Sequence, residues 1–243
     1  MDNRLFSDET LYCEGLFKPK LRGKIHLFSL IVFPFVCRHL YKGSGGFTFP
    51  FFISSVNLLT NLCCFTTSAL YHVLDWSLEE EITMQKMDHF TISLWCIGMM
   101  FPVAFLLFPR KNGIIFITVT AIACIINWIC IYRSKPSLFF SSLVPSSILL
   151  FGNLCYKYMT TNELVSMVAV FLFQGLGTMV LSTKFEFDFI DPTVFGYHEL
   201  FHVLSLFAAF FVYQISYSAA VRYKEIKHNE EDENVDAIVD ANK

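Results

Sequence analysis

The chain has 243 residues, of which 54% are hydrophobic, 17% aromatic and 16% charged, with a net charge of −3. A mean hydropathy of +0.51 is far too apolar for a water-soluble domain of this length, and the charge balance offers nothing to nucleic acid. What remains is a polytopic membrane protein.

A helix rises 1.5 Å per residue, so a run of about 20 apolar residues is the unit that crosses the hydrocarbon. Seven such runs follow one another, near Gly23–Tyr41, Phe47–Tyr71, Met87–Phe108, Gly113–Ile131, Leu138–Tyr158, Glu163–Leu181 and Val194–Tyr217. They are continuous rather than alternating, which argues against a transmembrane barrel. The fold class expected is an all-α membrane protein, a seven-transmembrane helix bundle. KGSGG, PRKNG, RSKPS and YMTTNE punctuate the runs, and Arg110, Lys111 and Gly113 favour a break between the third and fourth. Residues 1–22 read as a short polar segment without the apolar core and cleavage site of a secretory signal, so the first span is expected to direct insertion. Residues 23–218 form the bundle, and 219–243 read as a polar, disordered tail, acidic at its centre. The eight cysteines show no paired spacing and read as free thiols.

Polar groups inside spans are costly and need partners. His26, just inside the first span, and His39, near its other end, read as interfacial. The second span carries Asn57, Asn61, Ser68 and His72, which at about 100° per residue share one narrow stripe that should face the bundle interior. Asn57 and Asn61 read equally well as interhelical glue. Ser68 and His72 are one turn apart, which suits a hydroxyl supporting a metal-held water or a substrate carbonyl, or one bonding a backbone carbonyl. The stretch WSLEEEITMQK reads as a loop, and Asp88 and His89 open the third span. Asp88 suits either a solvated helix start or a proton acceptor aimed into a site; two neighbours on a helix cannot both point inward.

The seventh span opens with GYHELFHVL, an H-E-x-x-H pattern made by His198, Glu199 and His202. Two imidazoles one turn apart reach one metal, and a glutamate beside them can handle a proton. With seven spans, the start of the first, the end of the second and the starts of the third and seventh all lie at one face of the membrane. His26, Ser68, His72, Asp88, His198 and His202 therefore share a leaflet. His72, His198 and His202 make three nitrogen ligands with a fourth position for water, the open arrangement of a catalytic zinc.

These residues resemble those of the hemolysin III family, within the progestin and adipoQ receptor (PAQR) family. The likeness is carried by KPKLRGKIHLFSLIVFP, SALYHVLDWS with MDHF, and PTVFGYHELFHVLSLFAAFFVY. The family pattern of Ser and His four apart, then Asp, then Pro-x-x-x-Gly-x-His-x-x-x-His, falls on Ser68, His72, Asp88, Pro192, Gly196, His198 and His202. The resemblance implies a seven-helix bundle with Zn2+ held by His72, His198 and His202, Asp88 contacting the bound water and Ser68 supporting it. It implies that Glu199 is a packing or supporting residue. The chain departs from the family's early Glu-x-x-Asn-x-x-x-His, with Pro19 and Arg22 at the first two steps and His26 at the last. An intramembrane zinc protease would also need an Asp-Gly ligand segment, and the chain contains none.

The leading functional expectation is a zinc-dependent, ceramidase-like hydrolase of lipid amide or ester bonds, with membrane lipid as partner and substrate. The alternatives are a cytolytic pore-forming protein and a non-catalytic receptor or scaffold with structural zinc. Basic residues nearly tie between the two faces; the cluster Arg4, Lys18, Lys20, Arg22 and Lys24 tips the N-terminus toward the cytoplasm.

Overall fold

The computed structural model describes residues 11–133, 149–185, 187 and 189–241, with side chains as far as Lys227. Its described residues form helices and contain no strand. A 3₁₀ turn, Tyr12–Glu14, precedes α1 (Lys24–Gly43), α2 (Phe49–Val73), α3 (Leu78–Pro102), α4 (Arg110–Tyr132), a short α5 (Gly152–Tyr158), α6 (Thr161–Thr183) and α7 (Tyr197–Ala241). Five of these, α2, α3 with its extension, α4, α6 and the first part of α7, are long and apolar enough to cross a membrane. The 20 residues of α1 reach about 30 Å, also a bilayer's thickness. Most of the fifth expected span, Leu138–Tyr158, lies outside the described residues.

The outside of the bundle is greasy, and the inside mixes an apolar core with polar side chains. Phe28, Ile31, Phe35, Leu59, Val168 and Leu172 are exposed, while Ser54, Asn57, Thr120, Asn127 and Ser205 are buried. Large apolar side chains on the outside fit a surface solvated by lipid, where small and polar residues inside add to the interhelical packing. Asn57 Nδ2 donates to Ser216 Oγ at 2.9 Å and Ser54 Oγ to the Ser216 carbonyl at 3.1 Å, joining α2 to α7. Asn127 Nδ2 donates to Ser93 Oγ at 2.8 Å, joining α4 to α3. All eight cysteines are free thiols, as their spacing suggested.

Three boundaries differ from the sequence reading. WSLEEEITMQK is helix rather than loop: α3 begins at Leu78, because Ser77 and Glu80 cap it reciprocally, with the Ser77 N–H donating to Glu80 at 3.0 Å. Three glutamates in that first turn also favour the positive end of the helix dipole. The break between the third and fourth spans falls at Phe108 and Pro109, since α3 runs on as a π-helical turn, Val103–Leu107, and α4 starts at Arg110. Gly113 lets the chains come this close: a Cβ there would meet the Ala104 carbonyl oxygen at 1.9 Å. The tail expected to be disordered continues α7 as helical backbone to Ala241.

Helix α2 contacts α1, α3 and α7, and α7 contacts α6, α2, α1 and α3. These two central helices carry the histidines. Backbone bonds from Lys20 to Thr193 and from Leu21 to Val194, at 3.0 and 3.2 Å, join the approach to α1 to the approach to α7. Gly23 then starts α1 at φ +74° against the end of α2, where a Cβ would lie 2.9 Å from that of His72. The starts of α1 and α7 and the end of α2 therefore meet at one end of the bundle.

Candidate metal centre

His72 lies in the last turn of α2 and His198 and His202 in the first turns of α7. The local sequence explains why α7 starts where it does. Asp191 forms a turn with Thr193, whose N–H donates to its carboxylate at 2.9 Å; the Thr193 side chain, and then this backbone bond, hold the exposed Asp191 carboxyl below the usual range. Gly196 follows, and its N–H donates to Glu199 Oε2 at 2.8 Å, the capping contact of a glutamate near a helix start.

The Nε2 atoms of His72 and His198 are 3.1 Å apart, and one nitrogen from each of His72, His198 and His202 lies within 4.8 Å of the others. Zinc bonded tetrahedrally to imidazoles at about 2.0–2.1 Å separates its nitrogens by roughly 3.4 Å, so the first pair already stands near bonding separation. His72 and His202 are buried, and His202 Nδ1 has no hydrogen-bond partner. A donor set of three imidazoles, two buried and one half-buried, with one nitrogen that no described group satisfies, fits a divalent cation such as zinc. The three-histidine group can hold a metal ion.

Asp88 is buried on α3 with Oδ2 3.9 Å from His72 Nε2, and it lines one cavity with Ser68. His89, its neighbour, turns away and meets the Gln85 carbonyl at 2.9 Å. A cavity of about 30 Å³ adjoins the centre, lined among others by His26, Ser68, Asp88, Trp95 and Gln174; that is room for about two waters. All five expected site residues are thus brought to one place from three helices.

His26 corrects its interfacial reading. It is buried and stacked between His202, at 4.0 Å between ring centres, and Phe65, at 4.4 Å, and neither of its ring nitrogens has a hydrogen-bond partner among the described residues. His39 stays exposed at the far end, where its Nδ1 lies 2.6 Å from the Tyr213 hydroxyl. Glu199 is buried facing away from the histidine group and pairs with Arg22. Arg22 Nη1 donates to the Tyr12 hydroxyl at 2.7 Å, and that hydroxyl is 3.1 Å from His72 Nδ1. Burial works against the charge on Arg22, but Tyr12 and Glu199 beside it outweigh that and hold its pKa above the usual value. Burial likewise pushes the Tyr12 phenol up to about 12.

Tyr12, Arg22 and Glu81 escaped the sequence reading. Tyr12 and Arg22 sit in a polar stretch without periodicity, and Glu81 in an acidic run that looked solvated; the one available signal was Arg22 at an irregular step of the early family motif. Among known families, the model described as haemolysin-III related matches residues 15–213, a range that contains α1 to α6 and all three histidines. The chain belongs to the haemolysin-III related family.

Proposed function

We propose that the protein is a zinc-dependent membrane hydrolase that cleaves an amide or ester bond of a lipid. The observation that supports this most is the carboxylate of Asp88 beside His72, one of three convergent imidazoles, next to a cavity the size of about two waters. His72, His198 and His202 would hold the ion. Zinc would supply two things there, a water made acidic enough to deprotonate near neutral pH and polarisation of the scissile carbonyl. Asp88 accepts the water's proton and passes it to the leaving amine or alkoxide. Ser68, which lines the same cavity as Asp88, would keep its carboxylate turned toward the histidines. The buried wall of His26, Phe65 and Trp95 limits the water that can reach the reacting bond.

The cytolytic alternative needs a continuous polar path. The Asn57 Nδ2 and the Ser54 hydroxyl, which a path along α2 would use, are both engaged by Ser216 of α7, and this favours the hydrolase. The basic cluster before α1 supports a cytoplasmic N-terminus, and with it a centre in the cytoplasmic leaflet.

Purified protein in nanodiscs should carry one zinc per chain and release fatty acid from a ceramide or a lysolipid. Stoichiometric zinc with no turnover across a panel of lipid amides and esters would leave a structural metal and end the hydrolase reading; conductance across planar bilayers would revive the pore.

A further inference from the structure

We propose that Tyr12 is a positioning residue of the metal centre, its phenol fixing the His72 ring with Nε2 turned toward His198 and the ion. The inference rests on the metal reading above and extends the centre to a segment that precedes residue 15, where the family match begins.

A neutral imidazole carries one N–H. If Nε2 is to ligate, Nδ1 must hold the hydrogen, and a buried Nδ1–H needs an acceptor to keep ring and tautomer in place. His72 is buried, and the Tyr12 oxygen stands 3.1 Å from its Nδ1. The phenol ring meets the imidazole edge-on, with centres 6.0 Å apart and planes at 79°.

Tyr12 is itself held twice, at its phenol and at its backbone. Arg22 donates to its oxygen at 2.7 Å, which leaves a lone pair for the imidazole N–H. Arg22 is anchored by Glu199, which also takes the Gly196 N–H at the start of α7. Glu199, Arg22 and Tyr12 thus link the helix that carries His198 and His202 to the ring of His72, from the side away from the ion. From the other side Glu81 of α3, buried, accepts the N–H groups of Tyr12 and Cys13 at 2.6 and 2.8 Å. Lys18 ties the segment to the end of α2 through the Leu74 carbonyl at 2.8 Å and Asp75 at 2.9 Å.

Because Glu81 grips backbone rather than phenol, Tyr12→Phe removes the hydroxyl and keeps the segment in place. Full-length wild type, Tyr12→Phe, Glu81→Gln and, as a control, Tyr156→Phe on an exposed tyrosine of α5 would be compared in nanodiscs. Zinc affinity would be read by chelator competition, and ligand geometry by the visible absorption of Co2+. Tyr12→Phe should weaken zinc roughly 10- to 100-fold and alter the Co2+ spectrum, with metal-free thermal stability unchanged. Glu81→Gln should shift affinity the same way and Tyr156→Phe not at all. Tyr12→Phe within about twofold of wild type, with an unaltered Co2+ spectrum, overturns the proposal. Should that variant not fold, unchanged affinity in Glu81→Gln overturns it instead. Wild type that binds no metal sinks the metal reading itself, a result separate from a metal-loaded wild type indifferent to Tyr12.

Discussion

Asp88 and the histidines occupy one small space but should separate cleanly in mutants. His72→Ala removes one of three nitrogens and should empty the centre of metal, seen by elemental analysis. Asp88→Asn keeps a side chain of the same size beyond the three imidazoles, so metal content should stay near wild type while turnover falls by about 10²- to 10⁴-fold, the usual contribution of a positioned proton acceptor. A residue outside the centre offers a pH test. Cys13 is exposed, yet its hydrogen bond to the Glu81 carboxylate, with desolvation adding to it, pushes the thiol up to about 11. The neutral thiol is therefore favoured below that pH, and at pH 8 about 0.1% is thiolate, the reactive form. Maleimide labelling of Cys13 should be slow and should quicken about tenfold per pH unit until near pH 11; a fast, flat profile would show that Glu81 does not hold it.

Between helices, the structure spends polar side chains on specific contacts. Gly113 admits the Ala104 carbonyl to a distance that no side chain tolerates, so Gly113→Ala must part α4 from the π-helical turn. It should cost about 1–3 kcal/mol, read as a lower melting temperature in detergent. At the end of the bundle away from the centre, buried Glu163 of α6 accepts from Arg222 and from Ser218 at 2.7 Å, both on α7. Arg222→Met would leave that carboxylate buried without its cation, a loss of about 3 kcal/mol or more, with zinc content untouched because the two ends are separate. Much of this level was legible beforehand: the apolar runs predicted the helices, and the stripe of Asn57, Asn61, Ser68 and His72 predicted which side of α2 faces inward. The start of α3 was not. Its acidic first turn resembles a solvated loop until the Ser77–Glu80 cap is recognised.

At the scale of the molecule, an apolar exterior and long apolar helices place the chain across a membrane several times, and the meeting of α1, α2 and α7 at one end places the centre near one leaflet. Which leaflet is a matter of insertion. Protease protection of tagged termini in sealed vesicles should find the N-terminal tag digested only from the cytoplasmic side; digestion from the opposite side reverses the assignment of the centre.

Helix type, spanning length, inward stripe and the one-turn spacing of His198 and His202 were set by residues close together in the chain, because backbone geometry and partition into lipid act over a few residues. The meeting of His198 with His72, 126 residues away, was foreseen only through the parity of the spans and the family pattern. The burial of His26 against His202 and the path from Glu199 through Arg22 and Tyr12 to His72 belong to the tertiary structure alone. Their partners lie on different helices, and a hydrogen bond between distant segments leaves no periodic trace in either one.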